Sequence, residues 1–153
     1  MRLRLGDREV EMLRATLRRG GLRETGGQLF GQMHAPGDFS VTDVTTQRRM
    51  GSISRFFVDV AESLQAAARF FTRTGGAYRT FNYIGEWHSH PSYPTRPSST
   101  DVSTMQDLVR ADAFRGHFAV LLIVRLDGDV LAAEACVFDR TGAASAVHLE
   151  FPA

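Results

Sequence analysis

The chain has 153 residues, 43% apolar and 23% charged, the size and balance of one compact domain spanning 1–153. Its net charge of +1 supplies no global attraction to nucleic acid or to an anionic membrane, and a lone cysteine, Cys136, excludes an internal disulfide or a multi-cysteine zinc knuckle. The longest apolar run, residues 118–124, is too short to span a bilayer, and the opening MRLRLGDREV has no signal-peptide core, so a cytoplasmic protein is expected.

Residues 2–5 read as a short strand, after which Val10, Leu13 and Leu17 fall at helical spacing until Gly20-Gly21 ends the element. Two extended segments, 28–33 and 39–46, flank the turn-forming Ala35-Pro36-Gly37-Asp38 and predict a hairpin. A strand at 53–58 precedes a helix whose face is expected to hold Val60, Leu64, Ala67, Ala68 and Phe71. Asp59 and Glu62 are positioned to start it, and Gly75-Gly76 to stop it. Residues 81–90 alternate as a strand, and 99–110 form a third helix with Val102, Met105 and Val109 inward. Three strands close the chain, at 118–126, 130–138 and 144–151; the first is apolar on both faces and therefore central. The fold class is α/β (α+β), a mostly antiparallel sheet flanked by helices.

The chemistry is concentrated in Gly85-Glu86-Trp87-His88-Ser89-His90-Pro91 and the proline-rich loop after it. Residues two apart on a strand share a face, so His88 and His90 aim at one point while Trp87 and Ser89 point away. Strict alternation places Phe81, Tyr83 and Trp87 on one face and Ile84, Glu86, His88 and His90 on the other. Asp101 follows across a loop stiffened by Pro91, Pro94 and Pro97. Two imidazoles and a carboxylate give a divalent metal three ligands and leave the fourth position to water, as in a catalytic zinc site. A bare His-x-His is also compatible with two polar residues at a sheet edge. Glu86, on the histidines' face, is a rival base or an outer partner of the site. His34, His117 and His148 lack partners at ligand spacing and are expected at the surface, with Cys136 an inert thiol. The His-x-Glu and Pro-Cys-x-x-Cys pair of the zinc nucleobase deaminases is missing its second half.

His88-Ser89-His90, seven residues, Ser98, two residues and Asp101 resemble the His-x-His-x7-Ser-x2-Asp signature of the JAMM (JAB1/MPN/Mov34) metallopeptidases. Glu24, in Glu24-Thr25-Gly26-Gly27, resembles that family's upstream glutamate. The resemblance implies a single JAB/MPN domain with a cytidine-deaminase-like fold and one Zn2+ held by His88, His90 and Asp101. It further implies that Glu24 deprotonates the attacking water and that Ser98 stabilises the oxyanion. Ser98 also suits the N-cap of the third helix, and Glu24 an ordinary solvated charge.

Within the family, the usual His-Asn-His-Pro-Ser-Gly of RadC-like, DNA-associated proteins is replaced by His88-Ser89-His90-Pro91-Ser92-Tyr93, which counts against that branch. The stretch is similar to small stand-alone bacterial JAMM peptidases of antiphage operons, including CBASS and bacterial ubiquitin-like conjugation systems. That likeness implies cleavage after the terminal glycine of a ubiquitin-like modifier, with operon-encoded activating and conjugating enzymes as further partners. A RadC-like or non-catalytic binding module is the alternative. The modifier's tail is expected to add to an exposed strand near the metal, beside Thr95 and Arg96. All eighteen basic residues are arginine; codon composition explains this, as does an advantage to a deconjugase of offering no lysine.

Overall fold

The computed structural model describes residues 1–47 and 60–152. The expected strand at 53–58 lies outside them, as does Asp59. In chain order the elements are β1 (Arg2–Arg4), α1 (Asp7–Gly20), β2 (Gly26–Ala35), β3 (Asp38–Val44), α2 (Val60–Arg73), β4 (Phe81–Ser89), α3 (Ser99–Arg110), β5 (Phe118–Asp127), β6 (Val130–Asp139), β7 (Ala144–Ala146) and β8 (His148–Glu150). The eight strands form one sheet in the order β7-β6-β5-β4-β2-β3-β1-β8. The sheet is mixed: β4 runs parallel to β5, and β1 parallel to both β3 and β8, while the other neighbours are antiparallel. No helix among the described residues is long and apolar enough to cross a membrane.

Strand β5 organises the layers, because its side chains are buried on both faces. Val120, Leu122 and Val124 point into a core built with Val10, Leu13 and Leu17 of α1, whereas Ala119, Leu121 and Ile123 point into a second core with Met105 and Val109 of α3. Helix α2 lies on the α3 side. Its Phe70 stacks on Phe30 of β2 with ring centroids 4.9 Å apart, and Phe30 in turn meets Tyr83 edge-on at 6.0 Å.

Three local expectations change. Strand β4 carries a bulge, since Leu29 pairs with Gly85 and Phe30 with Tyr83, leaving Ile84 as the extra residue. Ile84 therefore joins Trp87 in the α1-side core, and Tyr83 crosses to the face of Glu86 and the histidines. Helix α2 is rotated from its expected face: Leu64 is 65% exposed, and Phe70, 2% exposed, is the anchor. The final strand divides at Val147, whose N–H donates to the Ala135 carbonyl (3.0 Å), so that β7 pairs with β6 and β8 with β1.

The aromatic anchoring of α2 sets a test. Phe70→Ala is expected to destabilise the fold by about 3–5 kcal/mol and Leu64→Ala by under about 0.5 kcal/mol. Urea unfolding of the two variants, read by circular dichroism, measures the difference.

Candidate metal centre

Strand β4 delivers the histidines because both its neighbours hold it there. At His88 it pairs with Gly26 of β2 on one side and Ile123 of β5 on the other, and the His90 N–H still donates to the Val124 carbonyl at 3.0 Å. Gly26 is required at this point: a Cβ there would stand 2.5 Å from the Trp87 carbonyl and 3.0 Å from His88 Cβ. With both edges occupied, β4 itself is closed to strand addition by a substrate tail.

Asp101 arrives from the first turn of α3. Ser98 is the N-cap, its hydroxyl accepting the Asp101 N–H at 3.2 Å, while Asp101 Oδ2 accepts the Ser98 N–H at 2.7 Å. This reciprocal pair satisfies two of the helix's otherwise orphaned donors and fixes the carboxylate's direction. Asp101 Oδ1 then lies 3.3 Å from His88 Nε2, and Oδ2 lies 3.6 Å from His90 Nε2. The two Nε2 atoms are 3.0 Å apart. All three residues are buried. Burial works to raise the Asp101 carboxyl, but hydrogen bonds from His88 and Ser98 outweigh it and hold the group at about 2.

These donors fit a metal. A tetrahedral zinc with ligands at roughly 2.0–2.1 Å sets neighbouring donor atoms about 3.3 Å apart, the spacing seen among the three side chains. His90 Nδ1 lies 2.7 Å from the Pro94 carbonyl. A carbonyl only accepts, so Nδ1 carries the proton and Nε2 keeps its lone pair for a metal.

Glu24 is half-buried in the segment between α1 and β2, at the same end of the sheet as the histidines. The next residue, Thr25, donates its N–H to Ser89 Oγ at 2.9 Å and accepts the Ser89 N–H at 2.8 Å, so the residue between the two histidines ties down the segment carrying Glu24. Glu86 is buried and accepts the Tyr83 hydroxyl at 2.7 Å. Burial pushes its carboxyl up to about 8, against the opposing effect of that hydrogen bond. Thr95 and Arg96 part company: Thr95 is buried and donates its hydroxyl to Glu134 Oε1 at 2.9 Å, and Arg96 is exposed. His34, His117 and His148 are exposed, and burial raises the half-buried Cys136 thiol. Ser89, Arg125 and Glu134 also make polar contacts with the segments around the site; as polar residues on strands they carry no spacing signal of that role.

The family model of prokaryotic homologs of the JAB domain matches residues 8–136. Among solved structures, a protein from Desulfitobacterium hafniense superposes with a TM-score of 0.73 at 22% identity, covering 98% of this chain and 92% of that one. A protein from Salinibacter ruber gives 0.60 at 19% identity, covering 99% and 92%. A JAB1/MPN domain protein from Archaeoglobus fulgidus gives 0.51 at 14% identity, covering 97% and 98%. At these identities the likeness is one of fold. A comparison with curated proteins finds no match.

The geometry predicts one tightly bound divalent metal per chain. Elemental analysis of the purified protein should find it, Asp101→Ala should lose it, and chelation should lower the thermal midpoint because the metal binds only the folded state. Ser98→Ala should cost about 1 kcal/mol of stability in the metal-free protein through loss of the cap, measured by chemical denaturation.

Proposed function

The chain belongs to the prokaryotic JAB-domain family, and from that membership we propose that it is a zinc-dependent peptidase or isopeptidase. Its substrate is the bond that follows the C-terminal glycine of a ubiquitin-like modifier. The observation that carries this reading is the buried convergence of His88, His90 and Asp101, three donors set for one ion with a capped helix fixing the carboxylate.

When bound, zinc supplies Lewis acidity and activates water for attack on a carbonyl. The chain's own residues do the rest. The Glu24 carboxylate takes the proton of the attacking water and returns it to the leaving amine. The Ser98 hydroxyl accepts the Asp101 N–H and hydrogen-bonds the Asp101 carboxylate; in the reaction it turns its proton to the oxyanion, while its oxygen continues to cap the helix. Glu86 is buried and already accepts the Tyr83 hydroxyl, so the half-buried Glu24 is preferred as the base. Arg96, exposed in the loop after His90, pairs with carboxylates of the substrate in this reading. The setting proposed is a bacterial antiphage conjugation system, in which the enzyme releases targets or trims modifier precursors alongside activating and conjugating enzymes.

The test is cleavage of a ubiquitin-like protein from the same gene neighbourhood, fused through its C-terminal glycine to a reporter and read by gel and mass spectrometry. Zinc-loaded wild type should cut after the glycine, and Glu24→Gln should lose at least about 10²-fold in kcat while keeping its fold and its zinc. A folded, zinc-loaded wild type that leaves the fusion intact would replace this reading with that of a non-catalytic or DNA-associated module.

A further inference from the structure

The loop between His90 and Asp101 does more than connect two ligands. The Pro94 carbonyl orients His90 by accepting its Nδ1–H, and a loop carbonyl is only as well placed as the loop that bears it. The residues on either side of Pro94 are both tied to the sheet. Tyr93 offers its carbonyl to Arg125 Nη1 of β5 at 3.0 Å, and Thr95 gives its hydroxyl to Glu134 Oε1 of β6 at 2.9 Å.

These two anchors are themselves well placed. Arg125 is gripped by Asp127 through two bonds, Nε to Oδ1 at 2.7 Å and Nη2 to Oδ2 at 2.9 Å, which leaves Nη1 directed at the loop. Glu134 pairs with Ile123, and Ile123 pairs with His88, so the carboxylate stands level with the first ligand across three adjacent strands. Side chains at His88, Ile123, Arg125 and Glu134 all lie on the α3 side of the sheet, the side on which the loop rests. The Thr95–Glu134 bond is partly buried, with Thr95 buried and Glu134 exposed, so it is less open to competing water than a contact between two exposed groups.

We infer that Arg125 and Glu134 are positioning residues for the metal ligand His90, acting through the Tyr93 carbonyl and the Thr95 hydroxyl to hold the Pro94 carbonyl against Nδ1. The inference rests on the reading of the cluster as a metal site. It assigns Thr95 to the fixing of the loop rather than to contact with substrate.

The experiment measures zinc affinity by competition with a chromophoric chelator, and the visible spectrum of the cobalt(II)-substituted protein, on the full chain. Thr95→Val and Arg125→Ala should each weaken zinc binding by about 10- to 100-fold and shift the cobalt bands. Glu134→Gln, whose amide oxygen still accepts the Thr95 hydroxyl, should keep wild-type values, whereas Glu134→Ala should behave as Thr95→Val. Arg73→Ala, which removes an exposed ion pair with Asp43, is the control for a merely structural effect and should leave both readouts unchanged. Circular dichroism checks the fold of each variant, and the near-isosteric Thr95→Val carries the test should Arg125→Ala fail to fold. Wild-type affinity and an unshifted cobalt spectrum in folded Thr95→Val would overturn the positioning role. Failure of wild type itself to bind one metal would instead overturn the metal reading beneath it.

Discussion

A carboxylate buried beside two imidazoles is the constraint around which this molecule is arranged. Ionised Asp101 would be costly to withdraw from water unless each oxygen found a partner. Oδ2 takes the backbone N–H of Ser98, and Oδ1 faces His88. The same side chain thus completes the start of α3 and closes the cluster. Stability of the helix terminus and direction of the ligand are one interaction, so the donor atom cannot drift without uncapping the helix.

The remaining architecture keeps the other two donors equally still. Strand β4 is clasped between β2 and β5, with Gly26 giving the neighbouring backbone room to approach at His88 and Ser89 stitching the strand to Thr25. Two cores, one under α1 and one under α3, load the sheet from both faces. Rigid support of this kind is what the proposed reaction needs, because the positions of a base, a donor and an ion would have to agree to a fraction of an ångström. Histidine orientation depends on an outer layer, Pro94 and the residues that brace it, drawn from strands remote in sequence.

Much of this was legible in the sequence where the cause is local. Helix α3 occupies the expected 99–110 because its cap, its inward Met105 and Val109 and its approach through Pro97 all lie within the segment. The cluster was legible through the likeness of His88, His90, Ser98 and Asp101 to a family signature, and the structure brings the two histidines and the aspartate together as a group that could hold a metal ion. What escaped depends on partners far along the chain. The bulge at Ile84 is a mismatch between β4 and β2, invisible in β4 alone, and it reverses the faces of Ile84 and Tyr83. The face of α2 is chosen by the ring of Phe30, which selects Phe70 over Leu64. Thr95 is expected beside the substrate tail because Glu134, which accepts its hydrogen bond, sits thirty-nine positions later.

The pairing of β1 has a consequence for the order in which the sheet is completed. Its two neighbours are β3 and β8, and the contact of Arg4 with Glu150 spans 146 positions. Closing so long a loop adds only modestly to the entropic cost, because that cost grows with the logarithm of length, but it delays the event. A β1 paired with β3 alone would present an unpaired edge until β8 joined it. Such an edge invites association with other chains. Arg2 and Arg4 flank the buried Leu3, placing two positive charges on this three-residue strand; both pair with Glu150 in the finished sheet, and Arg4 also pairs with Asp38 of β3. The charges that seal the finished sheet are thus also those that guard it while it is still open.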